Sequence, residues 1–167
     1  MPIVIRDEQP GDVRAIQEVN RRAFGEEQEG NMVDALRHNN GVLLSLVATS
    51  GGRVVGHILY SPVVVGGVQG AALGPMAVLP DHQRQGIGSE LVKAGNARMK
   101  EVGCPFILVV GHPEFYPRFG FTSAGALGIT CEWDVPHDVF MALVLDETVT
   151  SRLSGNAHYR REFSTLD

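Results

Sequence analysis

The stretch Val78-Leu-Pro-Asp-His-Gln-Arg-Gln-Gly-Ile-Gly-Ser-Glu-Leu91 joins an apolar segment to a helical pattern through a short connection with two glycines one residue apart. A helix start leaves its first N–H groups without intrahelical partners and carries partial positive charge, so a phosphate placed there meets aimed donors and a favourable dipole. Gly86 and Gly88 have no Cβ and let backbone and anion approach closely. Two nucleotide signatures are excluded. A dinucleotide fingerprint needs a third glycine where Leu91 stands, and a P-loop needs Gly-Lys-Ser/Thr. Glycine also serves ordinary helix entries, so this segment alone leaves both an anion site and a plain turn open.

Working back from this stretch, Gly70 to Leu79 reads as a strand interrupted at Gly74-Pro75, where proline has no N–H for a sheet ladder and implies a bulge or a loss of pairing. Val42 to Ala48 and Arg53 to Val65 are rich in β-branched residues around Ser50-Gly51-Gly52 and form a hairpin, and Gly66-Gly67 turns into the third strand. Ile3 to Ile5 is a first strand. After Pro10-Gly11, Asp12 is placed to cap a helix with Val13, Ile16, Val19 and Ala23 on one face. A second helix over Asn31 to His38 carries Met32, Val33 and Leu36 and stops at Asn39-Asn40-Gly41.

Working forward, Ile87, Leu91, Gly95, Met99 and Val102 line one face of a helix ended by Gly103. Phe106 to Val110 is continuously apolar, as in a strand covered on both faces, and strand, helix and parallel strand make a βαβ unit. His112 to Phe119 reads as a short helical connection begun by Pro113, and Phe140 to Leu145 as the last clear strand. Residues 148–167 show little periodicity and read as an extension, either loose or reaching for a partner.

The chain has 167 residues, 44% of them apolar, which suits a single domain over residues 1–147 followed by the extension. A net charge of −5 without a basic run argues against nucleic-acid binding. With no signal-peptide pattern and no apolar run of membrane-spanning length, the protein is expected to be soluble and cytoplasmic, with no membrane association. Cys104 and Cys131 have no metal-ligand spacing and read as reduced core residues, so no metal is expected.

In this setting Gln83-x-x-Gly86-x-Gly88 resembles the Q/R-x-x-G-x-G/A pyrophosphate loop of the GNAT superfamily of N-acetyltransferases. Leu73-Gly74-Pro75-Met76-Ala77-Val78-Leu79-Pro80 is similar to the strand before that loop, and Tyr116-Pro117-Arg118-Phe119-Gly120-Phe121 to the family's Tyr-x-x-x-Gly-Phe segment. The resemblance runs from about Ile3 to Leu145. It implies an α/β (α+β) GNAT fold: a mixed, mostly antiparallel central sheet of about six or seven strands with a splayed parallel pair, flanked by about four helices.

The resemblance also implies acetyl-CoA as cosubstrate, its pantetheine arm lying in the splay against backbone groups of Met76 and Val78. Amides of Gln85, Gly86, Ile87, Gly88 and Ser89 would receive the pyrophosphate, with Gln83 and Arg84 near that end. An amide near Ala77 would hold the oxyanion and Tyr116 would be the general acid. The acceptor would be a primary amine of a small molecule, peptide or protein that attacks directly, and the enzyme a monomer or homodimer. Where many relatives have an Asn before the tyrosine, this chain reads Gly111-His112-Pro113-Glu114-Phe115, which leaves His112 or Glu114 for a polar role.

The family transfers no general base, so Glu27, His57 and Glu114 are candidates, although a histidine within an apolar strand such as His57 is more often a satisfied core or sheet-face residue. Arg118 reads as a phosphate partner, a helix cap or a solvated cation. Trp133, with Glu132 and Asp134, reads as a pocket border or as packing. Cys104 is either an acyl carrier or core. Two further readings stay open: a non-catalytic acyl-CoA-binding or sensing module, and an acyltransferase using another acyl donor or a hydroxyl acceptor.

Overall fold

The computed structural model describes residues 2–166. Its strands are β1 (Ile3–Asp7), β2 (Leu44–Ser50), β3 (Arg53–Val65), β4 (Val68–Val78), β5 (Phe106–Val110), β6 (Thr122–Ser123), β7 (Ile129–Thr130), β8 (Phe140–Val144), β9 (Gly155–Asn156) and β10 (His158–Tyr159). The α-helices are α1 (Val13–Phe24), α2 (Gln28–His38) and α3 (Ile87–Glu101), with several 3-10 turns between elements. An eight-stranded sheet runs β1-β2-β3-β4-β5-β8-β6, with β10 added beside β3, while β7 and β9 pair separately. Within the large sheet β4 and β5 are parallel and joined through α3, and the pairs around them are antiparallel. This is the expected mixed sheet with its βαβ unit.

Two glycine pairs set the hairpins. Gly51 and Gly52 have φ of 58° and 82°, and Gly66 and Gly67 have φ of 56° and 77°. Positive φ at both central positions is the type I′ turn, whose twist matches that of the paired strands.

The chain divides into two compact units, one holding residues up to Ser61 with Pro75–Gly95 and the segment from Arg161, the other Pro62–Gly74 and Asn96–Arg160. In the first, α3 lies directly on β3. A Cβ on Gly56 would stand 3.1 Å from Leu91 Cδ1 and 3.2 Å from Ile87 Cγ2, and one on Gly95 would overlap the buried Tyr60 ring. Glycine at these two points lets the helix seat against the strand.

A buried polar chain ties the other elements of this unit together. Ser45 donates to Glu8 Oε1 at 2.7 Å, so its oxygen is the acceptor for His57 Nε2 at 2.9 Å. His57 is therefore the Nε2–H tautomer, and its Nδ1 accepts from Asn20 Nδ2 at 3.3 Å, whose other hydrogen reaches Ile16 O. Arg37 closes the far end with bonds of 2.8 and 2.9 Å to Glu8 and 2.7 Å to Asp34. Burial pushes His57 down to about 4, with Glu8 opposing and Arg37 adding to the shift. Burial works to raise the Glu8 carboxyl, but the bonds from Arg37 and Ser45 outweigh it and the net shift is downward.

In the second unit Phe106, Ile107, Leu108 and Val109 are buried, but Val110 is 43% exposed, so β5 is covered on both faces only up to Val109. The C-terminal extension is anchored at several points rather than loose, with Leu153, Ala157 and Phe163 buried. Tyr159 pairs with Val63 of β3, gives its N–H to Glu132 Oε1 at 2.7 Å and packs against Trp133 with ring centroids 4.7 Å apart and planes tilted by 59°. In the first unit Asn39 Nδ2 donates to Glu162 Oε2 at 2.9 Å, and Phe163 is buried. Two-residue strands carry no readable period, so nothing in the order of residues signals these contacts.

Several local expectations need correction. Asp12 does not cap α1 with its side chain, because its carboxylate is taken by Arg6 at 2.7 and 3.0 Å and by the Gln9 N–H at 2.7 Å. The second helix starts at Gln28 rather than Asn31, and β2 spans Leu44–Ser50 rather than Val42 to Ala48. Val102 is 71% exposed, since α3 ends at Glu101 before its face returns to the sheet. The helical turn before Phe121 begins at Tyr116, so Pro113 lies outside it.

His57 generates a pH dependence whose sign follows from its lowered value. The unfolded histidine protonates near 6.5 and the folded one near 4, so the unfolded state holds more protons between these values. Stability is expected to fall by about 3 kcal/mol as pH drops through that window. Urea unfolding followed from pH 7 to pH 4.5 measures this, and His57→Phe should flatten the slope.

Candidate active site

The segment after β4 forms a cradle of main-chain donors. A 3-10 turn over Pro80–His82 is closed by His82 N–H to Leu79 O at 2.8 Å. The chain then passes through Arg84 at φ +64° and Gly86 at φ +85° before α3 begins at Ile87. The first helical bond runs from Glu90 N–H to Gly86 O at 3.1 Å, so the amides of Ile87, Gly88 and Ser89 precede it and lack helical partners. Arg84 holds the left-handed region without being glycine, a conformation costing about 1–2 kcal/mol. Gln83 and Gln85 turn their side chains onto carbonyls of the same region, Gln83 Nε2 to Val78 O at 3.0 Å and Gln85 Nε2 to Asp81 O at 3.3 Å. The exposed Arg84 contributes the loop's positive charge.

The strand leading into this cradle keeps β3 beside it but loses β5 midway. The parallel register with β5 comprises Ala71↔Ile107, Ala72↔Leu108 and Leu73↔Val109. Next come Gly74 at φ +147° and then Pro75, which has no N–H to give. Further on, Leu79 N–H bonds Val55 O of β3 at 2.8 Å. Main-chain groups alternate along a strand, so Ala77 faces β3 as Leu79 does, while Met76 and Val78 present theirs to the opposite edge. The outward amides are thus those flanking Ala77. All the cofactor-side residues named from sequence, Met76 to Ser89, lie in the first unit.

Tyr116 lies in the second unit. It is buried with its ring edge-on to Phe115 at 5.0 Å and Phe121 at 5.7 Å. A Cβ on Gly111 would overlap this ring, so glycine at that position makes room for the tyrosine. Burial pushes the Tyr116 phenol up to about 12, and it keeps its proton throughout the neutral range. The Arg118 guanidinium stacks 4.7 Å from the Phe115 ring centroid, a role that sequence reading did not anticipate.

The base candidates separate. His57 is fully buried with both ring nitrogens engaged, and is therefore removed from consideration. Glu27 and Glu114 are exposed. Glu29, which sequence reading missed, has a carboxyl pushed up chiefly by burial, then by nearby Glu26, while its own backbone opposes. Its Oε1 is buried without a hydrogen-bond partner. A glutamate near a helix start gives no sequence signal of this. Among the described residues no group of three or more His, Cys, Asp or Glu could hold a metal ion, and no helix is long and apolar enough to cross a membrane. Neither Cys104 nor Cys131 is in a disulfide, and both are only partly buried.

A strand released from its neighbour and running into an amide-lined helix start is the arrangement that a sheet-based acyl-CoA enzyme requires. The family model for GNAT acetyltransferases matches residues 13–121, and the chain belongs to that family. It is 32% identical over 165 residues to the uncharacterised N-acetyltransferase YhbS of Escherichia coli K12, spanning 97% of this chain and 99% of the relative. The crystal structure of E. coli YhbS in complex with CoA superimposes with a TM-score of 0.93, covering 97% of this chain and 92% of that one. A GNAT family acetyltransferase from Brucella melitensis in complex with acetyl-CoA is 33% identical, with a TM-score of 0.81 and coverage of 97% and 98%.

Gly86 gives a direct test of the loop's backbone. A Cβ there meets nothing within 4 Å, so any cost comes from φ +85° alone. Gly86→Val is expected to lower the unfolding free energy by about 1–3 kcal/mol, and Gly86→Asn, which tolerates this region, by clearly less. Denaturant titration of the three proteins measures the difference.

Proposed function

We propose that the protein transfers the acetyl group of acetyl-CoA to a primary amine by direct attack. The observation carrying this reading is the end of the β4–β5 ladder at Leu73↔Val109, just before Gly74-Pro75, which frees the edge of Met76 and Val78 ahead of the Gln83–Ser89 cradle. The pyrophosphate takes the amides of Gln85 to Ser89, with Arg84 supplying positive charge. The pantetheine arm runs along Met76 and Val78 as an added strand. That CoA or acetyl-CoA is bound by the E. coli and Brucella relatives supports the same ligand here.

The residues divide the chemistry between them. An outward amide beside Ala77 donates to the tetrahedral oxyanion, where a preorganised N–H is most effective. Tyr116 holds its proton at neutral pH and donates a hydrogen bond to the departing sulfur. A phenol raised to about 12 gives up its proton to a thiolate of reference ~8.5 only uphill, so its contribution is mainly that of a positioned donor. Glu29, whose carboxyl is raised chiefly by burial and whose Oε1 is buried without a hydrogen-bond partner, is assigned the proton of the acceptor ammonium. The acceptor is an amine of a small molecule, peptide or protein, and two cysteines outside any disulfide fit a reducing, cytoplasmic setting.

Thiol release from acetyl-CoA across amino acids, polyamines, aminoglycosides and peptide N-termini tests the assignment. Turnover is expected with at least one amine class, and Tyr116→Phe should lower kcat by about 100-fold. Glu29→Gln should remove the acid limb of the rate profile. Tight acetyl-CoA binding by calorimetry with no release for any amine would instead support a binding module.

A further inference from the structure

We infer that Gln83 is a positioning residue that fixes the spacing between the two halves of the cosubstrate site, the phosphate cradle and the free edge of β4. The inference rests on the acetyl-CoA reading above. Its geometry is the bond from Gln83 Nε2 to Val78 O at 3.0 Å, which reaches back across Leu79, Pro80, Asp81 and His82 to the strand. The same residue is held through its main chain by Pro80 O at 3.4 Å. Val78 presents its carbonyl on the edge facing away from β3, because Leu79 gives its N–H to Val55. The tie therefore lands on the edge assigned to the acyl arm.

Other bonds in the segment do not do this. His82 N–H to Leu79 O closes the turn, and Gln85 Nε2 to Asp81 O closes the loop on itself. Gln83 joins loop to outward edge. A carbonyl oxygen has two lone pairs, so Val78 accepts from Gln83 and still has one for an amide N–H of the arm.

The chemistry of the position agrees. A phosphate partner calls for a full cation, for which glutamine is a poor substitute. A donor to a neutral carbonyl calls for a long side chain ending in N–H, which glutamine and arginine both provide, and these are the two types in the Q/R-x-x-G-x-G/A pattern. The positive charge is carried next door by Arg84, held at φ +64° and exposed.

Two half-sites held at the correct spacing gain affinity for a ligand engaging both, and that gain disappears when the spacing is free to vary. Calorimetry on wild type, Gln83→Leu and Gln83→Arg, with CoA and with 3′-phospho-ADP, tests this. The second ligand engages only the cradle. CoA should bind Gln83→Leu about fivefold more weakly, the loss of about one net hydrogen bond. The 3′-phospho-ADP affinity should stay within about twofold, and Gln83→Arg should bind CoA within about twofold of wild type. KM for acetyl-CoA should rise in parallel in Gln83→Leu, with kcat held.

Equal weakening of both ligands in Gln83→Leu would make Gln83 a mere part of the loop's fold and overturn the inference. An unchanged CoA affinity in Gln83→Leu, or failure of Gln83→Arg to restore it, would overturn it too. Wild type that binds no CoA would fail before any variant is examined, which removes the acetyl-CoA reading itself and the inference with it.

Discussion

The ladder between β4 and β5 ends at Leu73↔Val109, and the rest of the candidate chemistry depends on that ending. A strand fully paired on both sides has no main-chain group to offer a ligand. Gly74 at φ +147° and the missing N–H of Pro75 mark the change, after which β4 continues along β3. Once the second neighbour is lost, Met76 and Val78 have polar groups directed at an unfilled edge. In water such an edge is a liability; beside an anion cradle it is a template for an amide-bearing ligand.

Holding a half-paired strand in place requires stiffness behind it, and the first unit supplies that in two ways. Gly56 and Gly95 let α3 seat on β3, the partner that β4 keeps, so the helix whose N-terminus forms the cradle rests on that strand. Next to this, His57 on β3 joins Ser45, Glu8 and Arg37 on one side and Asn20 on the other. Buried polar chains rigidify when nearly every donor and acceptor is matched. The exception is Asn20 Oδ1, which is buried without a partner. His57 is neutral because charge at that depth lacks sufficient compensation, and this removes it from proton transfer.

The second unit shapes one residue in particular. Tyr116 sits among Phe115 and Phe121, over a glycine that leaves it space, and this apolar setting raises its phenol. The same apolar surroundings that keep the proton in place also make its transfer to a thiolate harder, so the tyrosine is suited to donating a hydrogen bond in place. The C-terminal segment is integral to both units: Tyr159 pairs with β3 in one, and Glu162 bonds Asn39 in the other.

Sequence by itself determined the features that depend on residues close together in the chain. Type I′ turns at Gly51-Gly52 and Gly66-Gly67, the helix entered at Gly86, the break at Gly74-Pro75 and the family's loop pattern are all local, since each rests on backbone freedom or a missing N–H. Tertiary structure decided whatever depends on partners distant in sequence. His57 became a neutral core residue because distant segments bury it and Asn20 and Ser45 engage its two ring nitrogens. Asp12 lost its capping role to Arg6, and Glu29 was raised by burial that no periodicity signals. Gln83, read from sequence as near the phosphate end, turns its side chain onto the strand carbonyl of Val78. The direction of a long side chain is set by which acceptor the fold brings within reach, and that is a property of three-dimensional packing, absent from the order of residues.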